Sequence, residues 1–212
     1  MKLYWGPHTC AIGIHILLEE AGHDYTTEKL DVAAGETRSP EFLAINPKGK
    51  VPTLVHDDGS VLTEFGAIGL YVARTAPRAG LIPEDAEGEA RMTEVLEYVE
   101  GTIHAQGYGR IFRPDMFEPQ DMLHTKMGLG QSSVKAQGKA MVEDAFAILD
   151  RQLDGRAFAA GDGLSVADAT LFYVERWAPS HGITLPPNLQ RHYDTMLARP
   201  AVRKVRAFWG EQ

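Results

Sequence analysis

Three short stretches carry residues whose chemistry could be used together. The first, "MKLYWGPHTC", ends in Cys10, the only cysteine of the chain. A thiol at a helix start sits where aligned peptide dipoles favour an anion, which draws its pKa from about 8.5 toward neutrality. The same residue serves equally well as a small buried hydrophobe. Without a second cysteine, CxxC dithiol chemistry is excluded. The second stretch, "GKVPTLVHDDGSVLTEFGAI", places Pro52 at the mouth of a strand and Glu64 where a helix should begin. Proline has no N–H to give a ladder. It therefore either ends the strand or, through a cis Val51–Pro52 bond, turns the Val51 amide and carbonyl outward. Such an exposed donor–acceptor pair suits an extended peptide added as one more strand. An acid at a helix start is favoured by the macrodipole alone. It also completes a receptor for a zwitterion, in which first-turn amides take a carboxylate and Glu64 takes the neighbouring ammonium. The third stretch, "IHAQGYGRIFRP", contains His104, which at helical spacing shares a face with Glu97, Gly101 and Tyr108. A lone histidine there is ordinarily a surface or packing residue.

The elements that must position these residues follow from periodicity. Residues 2–5 read as a strand stopped by Gly6 and Pro7, and "CAIGIHILLEEAG" repeats apolar residues at helical spacing up to a Gly22 stop. Residues 25–32 form a second strand, and Ser39–Pro40 caps a short helix. Strands at 53–56 and 61–62 flank Asp58-Gly59, the preferred filling of a two-residue hairpin turn, and a helix runs from about Glu64 to Thr75. The order is β-α-β-α-β-β-α over 1–76, followed by a Pro- and Gly-containing linker, 77–85. From 86 to 212 the strand signals stop. Met92, Val95, Leu96, Val99 and Ile103 trace one helical stripe, and Val134, Met141, Val142, Ala145, Ile148 and Leu149 trace another. "LSVADATLFYVERWA" forms a helix in which Ser165 and Asp168 make a capping box. A catalytic Ser/Asp use of that pair would need a histidine partner that no sequence signal supplies. Residues 187–198 and 200–208 complete the all-helical half.

Composition bounds the function. A net charge of −8 opposes nucleic acid or anionic membrane as a partner. No apolar run approaches the roughly 20 residues that span a bilayer, and the N-terminal residues lack a signal-peptide pattern. A single cysteine fits a reducing, cytoplasmic setting. The eight histidines form no metal-ligand spacing, so no metal is expected, and "GYGRIF" is no dinucleotide loop. Tyr108, Phe112 and Trp177 either line an apolar pocket for a second substrate or fill the helical core.

The ordered series "MKLYWGPHTC", "INPKGKVPTL", "LTEFGAI", "IHAQGYGRIFRP", "FAAGDGLSVADATLF" with "RWA", and "LARPAV" resembles a cytosolic glutathione transferase over essentially the whole chain, closest to the bacterial beta class. The resemblance implies a thioredoxin-like N-terminal domain, an all-α C-terminal domain and a homodimer. It implies glutathione as the peptide received at Lys50, Val51 and a cis Pro52. Glu64 and the amide of Phe65 then hold the γ-glutamyl end, with Arg38 the only cation near the place where relatives carry a lysine. Cys10 is assigned to the glutathione sulfur and His104 to the active site. The expected activity is transfer of glutathione to a small hydrophobic electrophile, with a Cys10-dependent thiol transferase or peroxidase variant. The alternative is a non-catalytic binding or assembly protein with weakened glutathione affinity. That alternative follows from the departures: Phe65 stands where relatives often have Ser or Gly, the lysine is missing from "DVAAGETRSP", and "GTI" precedes His104.

Overall fold

The computed structural model describes residues 1–118 and 131–211. Residues 119–130 and 212 of the expected second domain therefore lie outside the described residues. Strand β1 (Lys2–Trp5) pairs in parallel with β2 (Thr26–Lys29) and antiparallel with β3 (Thr53–Val55), which pairs antiparallel with β4 (Val61–Thr63). The sheet order is β2-β1-β3-β4. A parallel pair needs a crossover, and α1 (Ala11–Ala21) supplies it. Every residue from Ala11 to Leu18 is buried, because α1 lies between the sheet side and the helical half; all of them but His15 are non-polar. Gly13 permits that approach: a Cβ there would lie 2.7 Å from the Ala169 carbonyl.

The hairpin differs from expectation. His56 N donates to Ser60 O at 2.8 Å, leaving three residues, Asp57 to Gly59, in the loop, with Gly59 at φ 84°. This is a type I turn closed by a left-handed glycine, one residue longer than the two-residue turn. Helix α2 (Pro40–Ile45) starts at Ser39, whose Oγ accepts from Phe42 N, and α3 (Phe65–Thr75) starts after Glu64.

In the helical half, α4 (Ala86–Tyr98), capped by Asp85, continues as a π-helical stretch, Val99–Tyr108, and then α5 (Gly109–Phe112). The expected stripe from Met92 to Ile103 is buried. On α6 (Gln131–Gln152), Val134, Val142, Ala145 and Leu149 are buried, but Ile148 is exposed and Phe146 faces the core instead. Helices α7 (Val166–Trp177), α8 (Pro187–Ala198) and α9 (Pro200–Trp209) follow. Among the described residues no helix is long and apolar enough to cross a membrane.

The capping box at the start of α7 is present. Asp168 accepts from Ser165 N at 2.7 Å and from Ala159 N at 2.6 Å. It also has the histidine partner that the sequence did not disclose: His192 Nε2 lies 3.1 Å from Asp168 Oδ1, and His192 Nδ1 lies 2.9 Å from Glu175 Oε2. All three side chains are fully buried. Ser165 donates to Asp168 rather than to the imidazole, so this is an internal ion cluster that fixes the α7–α8 contact. Burial acts against the imidazolium, but Glu175 and Asp168 outweigh it and raise His192 to about 10.

Candidate functional site

The start of α1, the loop before β3, the start of α3 and the π-helical stretch converge on a cleft of about 380 Å³. Cys10, Lys50, Val51, Pro52, Glu64, Phe65 and His104, expected separately from sequence, all line it. A larger groove of about 500 Å³ beside α1 and α9 contains none of them. Arg38 does not line the cleft. Its guanidinium packs on Gly49, whose Cβ would meet Nη1 at 2.8 Å.

Cys10 caps α1, and its Sγ lies 3.9 Å from the Val51 carbonyl. The expected acidic thiol is not what this position yields. Burial, with Glu100 adding to it, pushes the thiol up to about 12, against its own backbone amide and Arg176. At neutral pH Cys10 is an S–H donor. The loop before it is pinned from α7: Trp177 Nε1 donates to His8 O and Arg176 Nη2 to Thr9 O, each at 2.9 Å. Arg176 is itself held by an ion pair with Glu211.

The Val51–Pro52 bond is cis, and Pro52 stands one residue before the paired run, where its missing N–H breaks no ladder bond. Asn46 fixes this loop, donating to Lys50 O at 2.8 Å and Thr53 Oγ1 at 2.9 Å. Among the described residues the Val51 amide meets no acceptor, so it is available to a ligand. Glu64 has φ 74°, a left-handed backbone that costs a non-glycine residue about 1–3 kcal/mol and is concentrated at functional sites. Its carboxylate pairs with Lys48 at 2.6 Å. The Phe65 ring turns inward, 5.1 Å from the Tyr173 ring and against Gly13. The Phe65 amide, in the first turn of α3, has no intrahelical acceptor.

His104 lies where the helix widens. Gly109 N donates to His104 O, an i→i+5 bond of the kind that often marks functional sites. The wider turn breaks the face expected from 3.6-residue spacing: Glu97 and Gly101 are exposed and Tyr108 is buried. Glu100 shares the cleft with His104 instead. Nδ1 of His104 lies 3.2 Å from the Tyr173 hydroxyl, and its ring packs edge-on to Trp177. Burial and then Lys50 lower His104 to about 4, so the ring is neutral at physiological pH.

None of the three members of the expected aromatic pocket lines the cleft. Tyr108 is fully buried and donates to Val174 O at 2.9 Å, and Trp177 is committed to His8. Their polar tips are satisfied inward, so they are core residues. Phe112 is exposed and stacks on Tyr108 outside the cleft lining. The outer wall is built from Ala105, Gly109, Arg113, Met116 and Phe117; the first three fall within "IHAQGYGRIFRP", and Met116 and Phe117 follow it without a sequence signal. Asn46 was within a quoted stretch but unassigned. The signal for Glu100 was its place four residues before His104, a spacing that puts both on one helical face.

Residues 1–74 match the model of the glutathione S-transferase N-terminal domain, and residues 132–195 match that of the C-terminal domain. The chain is 31% identical over 207 residues to glutathione S-transferase GstA of Escherichia coli O157:H7, covering 96% of each protein. Among solved structures it is similar to a Sulfitobacter glutathione transferase homolog with bound glutathione, at TM-score 0.89 and 30% identity over 98% of this chain and 97% of that one. It is similar also to the bacterial beta class glutathione S-transferase of Sphingomonas chungbukensis, at TM-score 0.83 and 31% identity over 99% of each chain.

Proposed function

We propose that this chain, which belongs to the glutathione S-transferase family, binds glutathione in the Cys10–His104 cleft and transfers it to a small hydrophobic electrophile. The observation that carries this is the convergence of Cys10, the free Val51 amide, Glu64 and His104 on one cleft. Val51 pairs with the ligand backbone as an added strand would. The Phe65 amide takes the γ-glutamyl carboxylate, and Glu64 takes the ammonium. The glutathione sulfur then lies at the start of α1. There Cys10, kept protonated by its burial, donates S–H to the glutathione thiolate and favours its formation. The thiol proton leaves to solvent. The thiolate's electron pair forms the bond to the electrophile, whose leaving group departs with its own pair. Neutral His104 contributes a hydrogen-bonding ring at the same wall. Holding both substrates in the cleft supplies proximity.

A high Cys10 pKa favours conjugation by glutathione's own sulfur over a Cys10 mixed disulfide. With the Phe65 ring turned inward, the main argument for lost glutathione affinity weakens. The dimer is part of the same proposal: Glu97 and Gly101 leave an exposed face along the helix that carries His104, and light scattering should exceed the 23.3 kDa monomer. Retention on immobilised glutathione with turnover of chlorodinitrobenzene supports the enzyme. Binding of apolar ligands without turnover supports a carrier of the same fold and contradicts the proposal.

A further inference from the structure

One carboxyl group of the cleft has no part in the proposed function. Glu100 stands in the π-helical stretch and lines the cleft with Cys10 and Glu64. Its Oε2 lies against Gly66 in the first turn of α3: a Cβ there would come within 3.3 Å of it and within 3.0 Å of Leu96. Glycine at 66 leaves the space that the carboxyl group fills. The nearby Gly66 amide favours the ionised form of Glu100, and first-turn amides have no partner in their own helix.

We propose that Glu100 is a specificity-determining residue of the glutathione site. Its carboxyl group stands against Gly66, beside the Phe65 amide where the γ-glutamyl carboxylate docks. The two carboxyl groups then share one proton, and the ligand binds with proton uptake. This rests on the assignment of glutathione to the cleft. Two carboxylates on neighbouring amides do not both stay ionised, because the second charge is opposed by the first.

The surroundings of Glu100 fix the sign. Glu97 faces it from its own helix, Glu64 from the start of α3, Cys10 from α1 and Tyr173 from α7, while Lys50 faces the adjacent His104. Burial, then Glu97 and Glu64, raise Glu100 to about 7, with the Gly66 amide acting the other way. The free protein thus loses this proton near neutrality, whereas the complex keeps it. The bound state holds more protons above neutral pH, so affinity falls as pH rises. Cys10 and His104, shifted to about 12 and about 4, do not titrate in this range.

The test is calorimetric titration of the intact protein with S-methylglutathione, whose capped sulfur removes thiol ionisation, in two buffers of different protonation enthalpy. The wild type should take up protons on binding, with Kd rising about tenfold from about pH 6 to about pH 8. Glu100→Gln retains a neutral carboxamide able to donate to the ligand carboxylate. Its Kd should be flat with pH and tighter than wild type at the alkaline end. Proton release on binding, as an ammonium paired to Glu100 would give, overturns the inference. So does an unlinked wild-type affinity, or the wild-type slope persisting in Glu100→Gln. Those outcomes leave glutathione in the cleft, whereas no binding by either protein overturns that assignment as well.

Discussion

His104 and His192 are two sheltered imidazoles with opposite charge states. His104 faces a tyrosine hydroxyl and two aromatic edges and is lowered to about 4. His192 lies between Asp168 and Glu175 and is raised to about 10. Burial lowers both. The partners decide the outcome, because carboxylates return more than the lost hydration and a neutral hydroxyl does not. A charged histidine holds the helical half together, and a neutral one is left free to face a ligand.

The largest expected effect follows from removing the charged member. His192→Leu leaves Asp168 and Glu175 buried without their cation and should cost about 3–5 kcal/mol in urea unfolding. A cost below about 1 kcal/mol would show that the cluster carries no such charge. With its folded pKa above the unfolded value, His192 stabilises fully below about pH 6.5, and that stability is lost as pH rises through about 10.

His104→Gln should instead leave folding nearly unchanged and lower turnover about ten- to hundredfold. The sign of its pH effect is reversed. The unfolded chain binds a proton near 6.5 that the folded chain refuses until about 4, so wild-type stability falls across that acid window. The Gln variant should lack that component in acid titration, and an identical acid profile would remove the basis for a neutral His104.

Cys10→Ala removes one S–H donor to the thiolate and should lower conjugation about tenfold, the scale of a hydrogen bond to a charged group. Wild-type Cys10 should stay slow to alkylate at about pH 8, with reactivity rising only toward its pKa of about 12. Fast alkylation at neutral pH would restore a nucleophilic role. The smallest effect is expected at Arg38, packed on Gly49 outside the cleft: Arg38→Ala should change the KM for glutathione less than about twofold, the range of a surface substitution.

The contrast also marks what the sequence could disclose. Gly22, Ser39–Pro40 and Ser165–Asp168 are local signals, and each ends or begins a helix as read. Pro52 and Glu64 were legible because a proline before a strand and an acid before a helix restrict the backbone locally. His192 was not, since its partners lie on another helix and neither spacing nor composition links them. The Cys10 thiol was misread for a related reason. The helix-start effect is local, but the burial and the Glu100 charge that oppose it come from the fold. Regular helical spacing also carried Tyr108 to the wrong side of a helix that is locally π.

The most direct test of the central claim is amide-resolved NMR during titration with glutathione. The amides of Cys10, Val51, Phe65 and Gly66 should shift together and saturate at one Kd, while those around Asp168, Glu175 and His192 stay still. Shifts spread over α8 and α9, or a Val51 amide that does not respond at saturation, would contradict glutathione binding in this cleft.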